Sequence, residues 1–167
     1  MFTFKKMNIY DGCATFFRLS KFRLIEKYEL EFRTTAQKIA WTHKQDKRHN
    51  MMKDNVALTV ILETIKAEPV SDTSNHRICV ANVHVSADLE NTDVKLWQVG
   101  TLIENLERNV AHLKIPILIC GDLNSCPRSA AHTLVIKGRV DRKHEELVNT
   151  TEELIKHLKL SHKLLPL

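Results

Sequence analysis

A chain of 167 residues with 43% hydrophobic content carries enough apolar side chain for one packed domain or a large part of one, which excludes wholesale disorder and two independent cores. Its formal charge of +5 and pI of about 9.1 suit a phosphate-bearing partner without demanding one. The four cysteines, Cys13, Cys79, Cys120 and Cys126, stand singly, and none of the nine histidines pairs with one at ligand spacing. Reduced thiols in a cytosolic or nuclear protein are therefore expected, and zinc is not. No apolar run approaches membrane-spanning length, and the opening "MFTFKKMN" lacks both the apolar stretch of a signal peptide and the arginine and serine bias of a transit peptide.

Ala14 to Ser20 and Leu24 to Phe32 are rich in Phe, Leu and Ile, the second interleaved with polar residues as "LIEKYELEF". This pattern predicts a hairpin of two strands, the second showing one face to solvent. Residues 37–55, "QKIAWTHKQDKRHNMMKDN", are polar and basic and read as an exposed loop with one helical turn. Val56 to Thr64, "VALTVILET", is nearly continuous and β-branched, which predicts a central strand. "KAEPVSDTSNHR" is turn chemistry throughout. Ile78 to Val85, "ICVANVHV", is another strand, with Asn82 and His84 two apart and so on one face.

From Thr92 to Leu113 the apolar period is helical: Val99, Leu102, Ile103, Leu106, Val110 and Leu113 form one stripe, with Thr92 and Asp93 as N-terminal cap and first-turn acid. Ile115 to Cys120 reads as a buried strand, and Arg128 to Lys137 as a short helix stopped by Gly138. The residues from Asp141 onward are charged, and Glu152 to Leu160 is weakly helical. This order lacks the alternation of a doubly wound sheet, so the predicted fold class is α/β with a mixed sheet covered by helices on one side.

"PILICGDLNSCP", residues 116–127, runs a buried-strand pattern straight into Gly, Asp and Asn. As turn chemistry this is unremarkable, since Asp and Asn favour turns and caps and Pro favours a helix start. Placement argues for more, because reacting groups collect at the carboxyl ends of strands, and residues i and i+2 of an extended segment point the same way. An ionised Asp122 can hold and polarise a water, and the Asn124 amide can donate to a phosphoryl oxygen without the repulsion of a second carboxylate. His84 also ends a strand and can open onto the same edge, although a lone strand histidine equally serves as a hydrogen-bonded core residue. Asn55 begins a strand rather than ending one and is the weaker candidate.

"DGCATFFRLSKFRLIEKYELEF", "KDNVALTVILE", "ICVANVHV", "TDVKLWQ" and "PILICGDLNSCPRSAAHTL" together resemble, in this order, the nuclease domain of the carbon catabolite repressor protein 4 deadenylases, closest to the plant-type members, within the endonuclease, exonuclease and phosphatase superfamily. The resemblance implies a two-sheet α/β sandwich and a poly(A)-specific 3′ to 5′ exoribonuclease that uses Mg²⁺, releases AMP and serves messenger RNA decay. By resemblance Asp122 orients or activates the attacking water, Asn124 binds the scissile phosphate near the adenine, and His84 contacts the phosphate. Asn55 and Leu89 are the further substrate-binding candidates, Leu89 standing where animal members carry a proline that packs on adenine. "TDVKLWQ" would start the helix backing the site. The expected partners are poly(A) RNA, rather than DNA or a membrane, and a multi-subunit deadenylase complex, in cytoplasm and nucleus.

The same resemblance places a metal-binding Glu upstream of "DGCA", and a Ser-Asp-His element with a second late Asp beyond "LPL". His162 matches a connecting histidine rather than a substitute for these. Residues 1–167 are thus expected to be the central part of a single nuclease domain, truncated at both ends, without a second domain and with impaired catalysis. Two other functions are carried beside the nuclease: a non-catalytic remnant that binds RNA or a deadenylase complex, and a phosphatase or phosphodiesterase of the superfamily acting on a small phosphorylated substrate.

Overall fold

A computed structural model describes residues 2–5, 12–38, 50–65 and 76–147. Residues 39–49 of the loop predicted over 37–55, residues 66–75 of the turn segment predicted over 66–77, the weak helix at Glu152–Leu160 and His162 lie outside these residues. The elements are β1 (Phe2–Lys5), β2 (Gly12–Thr15), β3 (Phe22–Glu31), α1 (Phe32–Lys38), β4 (Val56–Thr64), β5 (Arg77–His84), α2 (Thr92–Asn109), β6 (Ile117–Asp122) and α3 (Ala130–Lys137), with 3-10 turns at Ala111–Leu113 and Glu145–Leu147.

Strands β3-β4-β5-β6 form a mixed four-stranded sheet, antiparallel except for the parallel β5–β6 pair, and β1–β2 form a separate two-stranded antiparallel sheet. Val56 to Thr64 is β4, as its sequence predicts: eight of its nine residues are buried because both faces are covered. On one face Val56, Leu58, Val60 and Leu62 pack with Cys13 of β2. On the other, Ala57, Cys79, Ala81 and Val83 join the helices through Val94, Trp97, Leu102 and Leu134, and the rings of Phe32 and Trp97 meet edge-on with centroids 6.0 Å apart. The architecture is the predicted α/β sandwich, with the helices on one side of the mixed sheet.

The predicted hairpin between Ala14–Ser20 and Leu24–Phe32 does not form: β2 pairs with β1, and β3 pairs with β4. At Arg18 the chain turns, Lys21 and Phe22 donating their backbone N–H groups to the Arg18 carbonyl, and it passes from one sheet to the other instead of folding back in plane. For β3 the long, doubly covered β4 offers nine register positions, far more than the four-residue β2 could.

A β-bulge at Ile25 then reassigns the faces of β3. Before it, Phe22 and Leu24 face the small sheet; after it, Tyr28 and Leu30 face the helices. In a regular strand of the same sequence, without the bulge, all four even-numbered side chains would share one face. The predicted helix stripe is confirmed in α2, where Val99, Leu102, Ile103 and Leu106 are buried, but the residue at the cap position is Asn91, with no side-chain cap bond, and Asp93 takes the Val94 N–H instead. Gly138 stops α3 in the left-handed conformation, φ 66°, as predicted, while Ser129 caps the helix start by accepting from the His132 N–H.

At the rim where β4 ends, Arg23, Glu63 and Arg77 stand in one row across three strands. The Glu63 side chain is 2% exposed and takes charge-assisted bonds from both guanidinium groups. Those bonds, Arg77 first and Arg23 next, hold its carboxyl below the ordinary value of 4.5. A depressed carboxyl contributes stability that is present above its unfolded value and lost as pH falls through the folded one. Glu63→Gln should therefore lower the melting temperature at pH 7, with the gap to the parent chain closing as pH drops below 4.5; a gap that widens on acidification would contradict the ion-pair row.

Candidate active site

Because β5 and β6 run parallel, both deliver their last residues to one rim, and antiparallel β4 begins there. His84 and Asp122 are register partners across the parallel pair. Cys79, Ala81 and Val83 face the helices, so the alternating positions face the other way, and Asn82 does so by donating to the Ala14 carbonyl of β2 at 3.0 Å. His84 and Asp122 continue that second row, both exposed. The sequence expectation that they share an edge is met in this geometry, and the His84 ring has no hydrogen-bond partner among the described residues.

Gly121 makes the close pairing possible. It sits opposite Val83 with φ 119°, and a Cβ there would lie 1.9 Å from the Val83 carbonyl oxygen. Only glycine takes both that backbone conformation and that contact. Val85 N–H then donates to the Asp122 carbonyl at 2.9 Å, carrying the pairing one residue past the strand ends.

Asn124 does not extend the strand as the i, i+2 rule assumed. Its φ is 45°, and its own N–H donates to Asp122 Oδ1 at 2.7 Å, an Asx turn that leaves Asp122 Oδ2 without a contact from this loop. The Asn124 amide donates to the Val85 carbonyl at 2.8 Å, and buried Lys95 of α2 donates from Nζ to the Asn124 carbonyl at 2.9 Å. Asn124 is thus near Asp122 by a turn, and the residue following β5 and α2 both fix it.

Asn55, the weaker candidate on strand direction, belongs at this rim because the start of an antiparallel strand adjoins the end of its neighbour. Its Nδ2 donates to the His84 carbonyl at 2.8 Å, and its Oδ1 accepts from Gln98 Nε2 at 3.3 Å. Gln98, fully buried in α2, accepts from the Ser86 N–H at 2.8 Å through Oε1. One side chain therefore ties the entry of β4 to the exit of β5. Sequence reading missed Lys95 and Gln98, although both lie in "TDVKLWQ"; each is a polar residue inside the helix that backs the rim.

Leu89 is not brought into contact with these groups; its side chain is 85% exposed. The loop carrying it is pinned by Asp88, which accepts from Asn91 Nδ2, the Glu90 N–H and Lys53 Nζ. The Asn91 bond, followed by that of Glu90, holds the Asp88 carboxyl below the usual carboxylate range. The cysteines are thiols here: burial pushes Cys79 up to about 11 and raises Cys120 as well, so neither offers a thiolate ligand.

The rim combines one carboxylate with an uncommitted oxygen, one imidazole and one amide with a second N–H in reserve. That set can hold a water and donate to a phosphate. No group of three or more His, Cys, Asp or Glu side chains that could hold a metal ion occurs among the described residues. The set fits Mg²⁺ as a contributor, since that ion keeps several waters and is bound through one or two carboxylates plus substrate phosphate, and Asp122 is the carboxylate that would help hold it.

No protein-family model matches the chain. It is 44% identical over 162 residues to carbon catabolite repressor protein 4 homolog 2 of Arabidopsis thaliana and 45% over 165 residues to homolog 1, covering 92% and 94% of this chain. It is 32% identical over 168 residues, 84% of this chain, to the CCR4-Not complex 3′-5′-exoribonuclease subunit Ccr4 of Schizosaccharomyces pombe. The chain spans 27% of the length of the Arabidopsis relatives and 23% of the yeast one. Among solved structures it superposes on ANGEL2, a 2′,3′-cyclic phosphatase in complex with adenosine-2′,3′-vanadate, with TM-score 0.62 and 30% identity over 81% of this chain and 35% of that one. The human Nocturnin catalytic domain with bound sulfate gives TM-score 0.53 and 26% identity over 74% of this chain and 38% of that one.

A mixed sheet with helices on one face, a small sheet on the other, and an Asp-x-Asn turn opposite a strand-end histidine define an α/β sandwich of the endonuclease, exonuclease and phosphatase superfamily. Enzymes of that fold are generally dependent on a divalent metal. Within the superfamily the chain belongs to the carbon catabolite repressor protein 4 family.

Gly121→Ala should cost at least about 3 kcal/mol of stability, since a left-handed alanine and a backbone clash act together. Urea unfolding measures it; a variant within about 1 kcal/mol of the parent would mean that β5 and β6 do not approach this closely.

Proposed function

We propose that this chain forms the phosphodiester-cleaving rim of a poly(A)-specific 3′ to 5′ exoribonuclease of messenger RNA decay, acting with Mg²⁺ and releasing AMP. The observation that supports this most is the pairing of His84 with Asp122 on one face, at the carboxyl ends of two parallel strands. Asp122 orients the attacking water and accepts its proton through the oxygen that the Asx turn leaves clear. Asn124 donates its second amide hydrogen to a phosphoryl oxygen, and His84 donates to the phosphate as charge develops. Asn55 holds the His84 backbone in place, and exposed Leu89 supplies an apolar surface for adenine. Magnesium, when bound, neutralises the phosphate and the charge developing on the leaving oxygen. A multi-subunit deadenylase complex in cytoplasm and nucleus is the proposed setting, supported by the yeast relative's name as a CCR4-Not subunit.

A second reading keeps the rim and changes the substrate to a small phosphorylated nucleotide; the likeness to a 2′,3′-cyclic phosphatase favours it. A third, RNA binding without turnover, is favoured by the single carboxylate that the described rim offers.

Because the chain spans 27% of its relatives' length, the test is a graft of residues 1–167 in place of the matching segment of the Arabidopsis homolog 1 protein. The graft should release AMP from oligo(A) only with Mg²⁺, and Asp122→Ala should slow release about 100-fold or more. A folded but inactive graft, or an Asp122→Ala graft as fast as its parent, would refute the proposal. Faster turnover of adenosine-2′,3′-cyclic phosphate than of oligo(A) would install the second reading.

A further inference from the structure

A groove of about 660 Å³ runs along α3 and the segment after it, lined by Arg128, His132, Lys137, Arg139, Asp141 and His144. Three lining residues are permanent cations against one carboxylate, and among the described residues no carboxylate lies within ion-pair distance of Arg128, Lys137 or Arg139. Asp141 is itself engaged, accepting the Lys143 N–H at 2.9 Å. Uncompensated cations around a concave surface leave a local positive potential that like-charge repulsion makes costly unless an anion occupies it.

The Arg128 end of the groove is held in one shape. Arg128 has φ 76°, its N–H donates to His132 Nδ1 at 3.4 Å, and its carbonyl accepts from His144 Nε2 at 2.9 Å. The Glu146 N–H donates to His144 Nδ1, so both nitrogens of that ring are used to fix the loop. With its Nδ1 accepting, His132 carries its ring hydrogen on Nε2, a further donor in the lining. Ile136, 56% exposed, adds apolar surface beside the cations.

We propose that this groove binds the sugar-phosphate backbone of single-stranded RNA, with Arg128, Lys137 and Arg139 on phosphates and the Ile136 side chain against a base. Charge complementarity selects a polyanion, and the exposed apolar side chain among the cations selects one with flat apolar faces between its charges, which an acidic peptide lacks. Arg128, at one end of the groove, follows Asn124 of the rim by four residues of chain. The choice of RNA over DNA rests on the nuclease reading of the rim; the presence of a nucleic-acid groove does not.

The test is fluorescence anisotropy of the full chain with labelled single-stranded 20-mer oligo(A), titrated from 50 to 200 mM salt. Lys137→Glu with Arg139→Glu should weaken binding about tenfold or more at low salt and flatten the salt slope by about 1.4, as expected for two lost phosphate contacts on a single strand. Lys21→Glu, which changes an exposed cation outside the groove, should leave affinity within about threefold. Should the reversals unfold the chain by circular dichroism, the Lys137→Gln, Arg139→Gln pair gives the same readout with a smaller loss. Unchanged affinity and slope in the folded double variant, or equal competition by a poly-glutamate peptide, would overturn the proposal. Anisotropy reads binding and not turnover, so intact groove binding with an inactive rim would count against the nuclease reading alone.

Discussion

The contact on which the site depends is the approach of β6 to β5 at Gly121, where the missing side chain lets one strand lie against the Val83 carbonyl of the other. A parallel pair brings both chain ends to the same rim, and a one-residue slip in that pairing would send Asp122 to the helix face. The glycine, the backbone bond from Val85 to Asp122, and the fixed register therefore act as one device. It places an imidazole and a carboxylate side by side without any direct bond between them, which leaves both open to a third party.

Helix α2 supplies the rest of the rigidity. Its interior-facing surface carries Lys95 and Gln98 among apolar neighbours, and both are spent on backbone or on Asn55 rather than on solvent. A buried side-chain amide whose partners were removed would leave groups unsatisfied at about 1–3 kcal/mol each, so the network resists local rearrangement. The loops after β5 and β6 are thereby held from behind by a helix that bonds to Ser86, Asn55 and Asn124. Rigid backing of this kind is what a hydrolytic site needs, since donors must already be aimed when charge develops.

Much of this was legible in the residues. The unbroken β-branched run of β4, the helical stripe of α2 and the glycine stop of α3 each satisfy a local rule that the tertiary structure also satisfies. The partner of β3 was not legible, because a short strand at 12–15 and a turn at Arg18 imitate a hairpin, and because the bulge at Ile25 moves one half of β3 to the other face without any glycine or proline to mark it. Asn55 was undervalued on chain direction alone; it reaches the rim only because β4 runs opposite to β5. Lys95 and Gln98 carry no local mark of their role, because the groups they bind are brought to them from elsewhere in the chain.

The most direct measurement is a nuclear Overhauser spectrum of the isotope-labelled chain. With His84 and Asp122 in register on one face, cross-peaks are expected between the His84 imidazole protons and the Asp122 methylene protons, together with contacts from the Asn124 amide to Val85. A His84 ring that gives its cross-peaks to Val94 or Trp97, on the helix side of the sheet, would contradict the shared rim and every chemical role assigned to it.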